Sequence, residues 1–204
     1  STESTADIGY RRTETGGMIR VWSANATTMS LTVWSAKDPE WPDESLPMTA
    51  GADDVWSVES ELLVPGALYS IHADGPDGPT HAFNAETALL DPYARGVVRT
   101  DSGDFRSVIV DGTFDWGGVT KPNTPLSATV IYEAHAKGLT ALHPEIPEHL
   151  RGTYAGIAHP ATIEHLKSLG VTAIELMPIA EFPGSRNWGY DGVHLWAPQS
   201  TYGG

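Results

Sequence analysis

The chain has 204 residues, 40% of them apolar, and carries 26 acidic against 12 basic side chains, for a formal net charge of -14. A negative surplus of that size excludes nucleic acid and anionic membrane surfaces as partners and suits a soluble protein with a neutral ligand. The absence of cysteine removes any disulfide framework or thiolate metal site and fits a reducing, cytoplasmic location, and no apolar run approaches the length of a bilayer span.

The length allows one large domain or two small ones. Ser1 to Asp7 are polar, lack the charged and apolar regions of a signal peptide, and read as a disordered lead. The chain starts with Ser rather than Met, which points to processing or to a piece of a longer reading frame. From Ile8 to about Asp91 the pattern is all-β. Met18-Ile-Arg-Val-Trp22, Ser30-Leu-Thr-Val-Trp-Ser35, Val55-Trp-Ser-Val-Glu59 and Ala67-Leu-Tyr-Ser-Ile-His72 alternate in the manner of half-buried strands. Between them lie turn signals at Thr15-Gly-Gly17, Pro39 to Glu44, Ala50 to Asp54, Pro65-Gly66 and Asp74 to Gly78. Short strands at this spacing predict a β-sandwich. Trp22, Trp34 and Trp56 sit inside strand patterns and are expected in its core, whereas Trp41, in the polar loop Lys37 to Glu44, is expected at the surface.

After Pro92, residues 93–127 are poorly periodic, with several Gly and Asp and with Pro122 and Pro125; they read as a connector, with Val108-Ile-Val110 as a short strand. Ala128 to Ala136 reads as a buried strand and Leu139 to Gly156 as a long loop. His159 to Leu169 has helical spacing of Ile163, Leu166 and Leu169, with Pro160 at its start and Gly170 at its end. Val171 to Met177 is then a strand stopped by Pro178. This order makes a parallel βαβ unit with a right-handed crossover. One such unit cannot bury both faces of its strands, so the expectation is a chain truncated within a larger fold.

These residues resemble a known family. Val130-Ile-Tyr-Glu-Ala-His-Ala-Lys-Gly-Leu-Thr140, His143-Pro-Glu-Ile-Pro147, Arg151-Gly-Thr-Tyr-Ala-Gly156 and Ala158-His-Pro160 are closely similar to bacterial glycogen debranching enzymes of the isoamylase type, in the alpha-amylase superfamily. Ala88-Leu-Leu-Asp-Pro-Tyr-Ala-Arg95 resembles that family's exit from its N-terminal domain. Gly170 to Pro178 and Trp188-Gly-Tyr190 are similar to its second barrel strand and following loop. The likeness begins at about Gly17 and is most specific from Tyr132 to Pro160. It implies a mixed fold: a β-sandwich of the glycogen-binding-module type over 8–92, the connector over 93–127, and over 128–204 the first βαβ part of a (β/α)8 barrel, truncated. It implies hydrolysis of α-1,6 branch linkages in α-glucan by two carboxylates, with no cofactor and no metal. The family's nucleophile, acid/base and third carboxylate lie on later barrel strands, so no catalytic residue is assigned in this chain and the fragment is expected to be inactive.

One departure bears on bond specificity. Ile179 to Asn187 is short for a debranching enzyme and, with Trp188 to Gly192 and Ala197-Pro198, is more like the maltooligosyl trehalose trehalohydrolases. A reading from another class, a stand-alone carbohydrate-binding module, would be expected to end near Tyr93 without further apolar strands.

The resemblance makes Tyr190 the leading substrate-binding residue, stacked on a pyranose whose C–H face suits an aromatic plane, in preference to a core tyrosine. Trp188 either flanks the same sugar or packs beneath the loop. Asp191 either bonds a sugar hydroxyl or caps the next segment, the cap being preferred. Glu133 and His135 alternate on one strand and point the same way. A metal or general-base role there is set below a buried, mutually hydrogen-bonded pair, with His135 near the sugar site. Glu175 reads as a satisfied polar group of the inner barrel layer rather than a catalytic acid.

Overall fold

The computed structural model describes residues 8–35 and 41–203, so the expected lead at 1–7 and part of the 37–44 loop lie outside the described residues. The chain divides into two compact units, the first ending at Gly112 and the second spanning Thr113–Gly204.

In the first unit β1 (Gly9–Arg12), β2 (Gly17–Trp22), β5 (Thr49–Ala50) and β6 (Val55–Ser60) form an antiparallel sheet in the order β1-β2-β6-β5. A second antiparallel sheet runs β4-β3-β7-β9-β8, from β3 (Thr28–Trp34), β4 (Glu44–Pro47), β7 (Leu68–Asp74), β8 (Gly96–Arg99) and β9 (Phe105–Val108). Strand alternation fixes which side chains meet. In the β3–β7 register Met29 faces Ala73, Leu31 faces Ile71 and Val33 faces Tyr69, all buried. On the other sheet Ile19 and Val21 oppose Val58 and Trp56, and these residues join one core cluster with the β3 and β7 set. Each large apolar side chain removed from water in this way contributes about 1.5–3 kcal/mol. The result is the expected sandwich.

Two expectations for this unit are corrected. Trp34 and Trp56 are buried, but Trp22, the last residue of β2, is 57% exposed, because its strand neighbours Ile19 and Val21 take the inward positions. Trp41 is exposed, as its polar loop predicts. The stretch read as connector contributes β8 and β9, which continue the sheet beyond β7; Gly96 pairs with Val108 and Leu68 also pairs with Val108. The pairing is short and rich in Arg, Gly and Ser, so periodicity alone does not reveal it.

Behind β7, the Tyr69 hydroxyl donates to Asp91 Oδ2 at 2.7 Å, Asp91 Oδ1 accepts from the Tyr93 N–H at 2.9 Å, and the Asp91 N–H donates to Ser107 Oγ at 3.0 Å. Tyr69 and Asp91 are both buried. Burial, then the Asp91 charge, pushes the Tyr69 phenol well above its ordinary range. A phenol whose folded pKa is raised stabilises the fold fully below pH ~10 and loses that contribution as pH climbs through the folded value. Urea midpoints followed by circular dichroism are therefore expected to hold steady from pH ~8 to ~10 and fall above it. A Tyr69→Phe variant is expected to show a shallower alkaline decline; an equal decline would remove Tyr69 as the cause.

In the second unit β10 (Ile131–Ala134) and β11 (Ala173–Leu176) pair in parallel, while β12 (Ala180–Glu181) and β13 (His194–Pro198) pair antiparallel. The expected helix is α2 (Pro160–Ser168), with Pro160 in its first turn and His159 Nδ1 accepting from the Ala161 N–H at 3.2 Å. The long loop before it contains a 3-10 turn at Glu148–Leu150 and a short α-helical turn, α1 (Tyr154–Ile157), capped by Thr153, whose hydroxyl accepts from the Gly156 N–H. The core of this unit is small: Ala136, Phe182 and Tyr202, with Tyr154, Ile157 and Ile179 packed against them. Among the described residues no helix is long and apolar enough to cross a membrane.

Candidate functional site

β10 ends where β11 ends, and just beyond those carboxyl ends lie His135 and Met177. Together with Lys137, Ser185, Arg186, Trp188 and Tyr202 they line a cavity of about 540 Å³. The strand order delivers these groups: parallel pairing sets Ala134 against Leu176, so the residues that follow emerge side by side.

His135 is fully committed. Its Nδ1 accepts from the Lys137 and Gly138 N–H groups at 3.2 and 3.1 Å. That leaves the proton on Nε2, which donates to the Asn187 carbonyl at 2.8 Å, with the Tyr202 hydroxyl 3.2 Å away. The Tyr202 ring stands edge-on to His135, Tyr154 and Phe182. The Tyr154 hydroxyl donates to the Gln199 carbonyl at 3.1 Å, and burial is the main cause that pushes its phenol up to about 12. Burial also raises the Tyr202 phenol. A histidine whose two ring nitrogens are both bonded to the backbone orients the loop at 187 rather than moving protons.

The Glu133–His135 pairing is therefore corrected: His135 bonds Asn187 and Tyr202, and Glu133 is exposed. Glu175 is corrected too. It is exposed and directly opposite Glu133 in the β10–β11 register, whereas Tyr132, Ala134 and Leu176 are half-buried.

The loop from 187 to 191 is braced by Asn187. Its Oδ1 accepts from the Gly189 N–H at 2.7 Å and its Nδ2 donates to Asp191 Oδ2 at 2.6 Å. Asp191 thus closes this loop instead of capping a following segment, and the next element is β13, not a helix. Gly189 is buried against the Pro178 backbone, while its neighbours Trp188 and Tyr190 are 73% and 68% exposed. Trp188 lines the cavity with His135; Tyr190 and Asp191 do not. The loop holds two aromatic rings out toward solvent on a buried glycine, a geometry suited to a flat apolar face with polar edges.

Sequence reasoning passed over Gln199, Glu181 and Tyr202. Gln199 is fully buried, with Oε1 accepting from the Phe182 N–H at 2.7 Å and Nε2 donating to Gly184 O and Thr201 Oγ1 at 3.1 and 2.9 Å. Glu181 accepts from the Ser200 N–H at 2.6 Å and the Ser200 hydroxyl at 3.0 Å. The only signal near them was the Ala197-Pro198 pair, which does not mark a side-chain partner.

Comparison places the first unit in a class. Residues 7–94 match the family model of carbohydrate-binding module 48, the isoamylase N-terminal domain. The resemblance to the N-terminal part of glycogen debranching enzymes is borne out as well. The chain is 36% identical over 212 residues to the glycogen debranching enzyme of Salmonella paratyphi B, covering 89% of this chain and 32% of that protein. To the enzyme of the same name from Klebsiella pneumoniae it is 34% identical over 227 residues, covering 97% and 34%. The chain spans about a third of the length of these curated relatives. The crystal structure of Paenibacillus barengoltzii pullulanase in complex with maltohexaose and alpha-cyclodextrin superposes with a TM-score of 0.77 at 22% identity, over 98% of this chain and 33% of that one. At that identity the likeness is one of fold.

Proposed function

We propose that this chain is the N-terminal portion of a cytoplasmic glycogen debranching enzyme, a glycoside hydrolase that cuts α-1,6 branch linkages in glycogen or limit dextrin. The observation that carries the reading is the similarity to an enzyme of that name over 89% of this chain, which continues past the sandwich into the second unit. A stand-alone binding module would share only the first part. In this reading residues 8–92 are the glycogen-binding-type sandwich, 93–127 the passage between domains and 128–204 the first βαβ part of a (β/α)8 barrel. The carboxylates that carry the hydrolysis are supplied by barrel strands beyond this sequence.

The second unit then contributes substrate positioning. Tyr190 stacks on the sugar at the cleaved bond, Trp188 forms an apolar wall beside it, and His135 and Asp191 hold the loop through Asn187. A neutral glucan needs aromatic faces and hydroxyl partners rather than ion pairs, which suits a chain of net charge -14. In the full-length parent, Tyr190→Ala is expected to lower kcat/KM on branched dextrin by roughly tenfold or more, while Tyr190→Phe keeps most of it. Equal rates for the alanine variant and the parent would remove Tyr190 from the site.

The short 179–187 segment favours a second reading, the maltooligosyl trehalose trehalohydrolase activity. One experiment separates them. The full-length parent is incubated with branched limit dextrin and, separately, with maltooligosyl trehalose, and the products are separated by chromatography. Short linear chains from the dextrin support debranching; free trehalose supports the second reading; neither product from a folded parent leaves the binding-module reading.

A further inference from the structure

Glu181, at the end of β12, is a buried carboxylate, 7% exposed, in a unit whose other described acidic side chains are all exposed. Burying a carboxylate is costly unless hydrogen bonds replace its water. Both of its oxygens are used on one residue: Oε2 accepts from the Ser200 N–H at 2.6 Å and Oε1 from the Ser200 hydroxyl at 3.0 Å. Ser200 opens the 3-10 turn Ser200–Tyr202, and the residue before it, Gln199, gives that turn no side-chain cap. Glu181 therefore caps the turn from a neighbouring strand, with the negative charge at the end where free N–H groups gather.

The capped turn carries Tyr202, and Tyr202 reaches the loop that presents Trp188 and Tyr190. The Tyr202 N–H donates to the Gln199 carbonyl at 3.3 Å and the Gly203 N–H to the Ser200 carbonyl at 3.2 Å, so the direction of the tyrosine side chain follows the seat of Ser200. The Tyr202 ring is fully buried, stands edge-on to His135 with centroids 5.6 Å apart, and sets its hydroxyl 3.2 Å from Nε2. That nitrogen donates to the Asn187 carbonyl, and the Asn187 side chain holds the Gly189 N–H and Asp191. The path from Glu181 to the loop thus runs through hydrogen bonds, one short turn and one ring contact, with no gap between them.

We infer that Glu181 is a positioning residue for the sugar that Tyr190 stacks on. By capping the Ser200–Tyr202 turn it sets Tyr202 against His135, and so fixes the height and tilt of the 187–191 loop. That Tyr190 meets the sugar at the cleaved bond rests on the debranching reading above. A residue that served stability alone would leave the loop in place in every molecule that stays folded; a positioning residue moves the loop in folded molecules.

The test has two arms. In the 204-residue chain, Glu181→Ala is expected to speed amide exchange at 187–191 by roughly tenfold while leaving the β10–β11 amides unchanged. Glu181→Gln keeps an acceptor for the Ser200 N–H and offers its amide N–H to Ser200 Oγ, and is expected to restore the slow exchange. In the full-length parent, with rates taken per folded molecule, Glu181→Ala is expected to lower kcat/KM on branched dextrin by roughly tenfold. In a Tyr190→Ala background the same change is expected to cost less than about twofold, because the ring it positions is gone. If Glu181→Ala does not fold, Ser200→Ala, at an exposed position, removes one of the two bonds and goes through both arms in its place. Unchanged exchange at 187–191 in the folded variant, a rate loss that vanishes per folded molecule, or losses that multiply with that of Tyr190→Ala would each overturn the inference. Any of these leaves the debranching reading standing, because that reading is decided by the products of the parent. A parent that yields no debranching product leaves the exchange arm to decide whether Glu181 holds the loop.

Discussion

Replacing Gly189 with alanine is expected to destabilise the C-terminal unit by about 3–4 kcal/mol. Gly189 has φ +107°, a backbone conformation that side chains rarely adopt, and a Cβ added there would overlap the carbonyl oxygen of Pro178. Both obstacles are backbone, so no rotamer change relieves them. The chain must either lift the 187–191 loop or push back the residues that follow β11. Lifting the loop breaks the 2.7 Å bond from the Gly189 N–H to Asn187, and with it the seat of the Asn187 carbonyl on His135. The measurement is hydrogen exchange across 178–198 together with urea denaturation of the same variant. Faster exchange confined to the loop and its contacts is expected beside the lowered midpoint. An unchanged midpoint would mean that the loop does not pass over Pro178 in the way described.

Gln199→Leu is expected to destabilise the same unit by about 2–3 kcal/mol. Leucine approximates the size of glutamine, so the change leaves little void. What it removes is the acceptor for the Phe182 N–H, a donor that lies beside a fully buried side chain and has no route to water. The Gly184 carbonyl is at the surface and recovers a partner from solvent, so the penalty rests on Phe182. A Gln199→Glu variant separates the two halves of the amide. It keeps the acceptor but sets a buried carboxylate against the Gly184 carbonyl, which raises its pKa and makes the folded state recover stability as pH falls. Denaturation midpoints of the two variants at neutral and mildly acidic pH give the comparison. A Gln199→Leu midpoint equal to that of the unaltered chain would show that Phe182 finds another acceptor.

Most of the sandwich was legible because its strands alternate strongly. Met18 to Trp22, Ser30 to Ser35, Val55 to Glu59 and Ala67 to His72 fall within or beside β2, β3, β6 and β7. β8 and β9 were less so: Gly96–Arg99 and Phe105–Val108 are four residues each and owe their place to pairing with β7 and with each other. Trp22 was misplaced because its apolar character was weighed above the alternation, which gives the inward face to Ile19 and Val21 and turns Trp22 outward. In the second unit, Pro160 and Gly170 marked the helix correctly, since their signals are local. The roles of Asn187, Gln199 and Tyr202 were not legible. Each depends on a partner far along the chain, such as His135 for Tyr202, and neither composition nor spacing encodes such a meeting. Glu133 and Glu175 show the converse: each lies within a strand as its spacing predicts, and they are register partners, but what covers a face is not a local property.

The position of β8 and β9 also bears on how the sandwich can be excised. The family match stops at residue 94, whereas the compact unit runs to Gly112. A cut at 94 would leave β7 as an unprotected sheet edge and strip Ser107 from the Asp91 backbone. It would also delete Ile109, a member of the core cluster whose N–H donates to Ala67 at 2.9 Å. The family match is thus shorter than the compact unit, and a recombinant boundary drawn from the first would yield an adhesive, half-finished sheet.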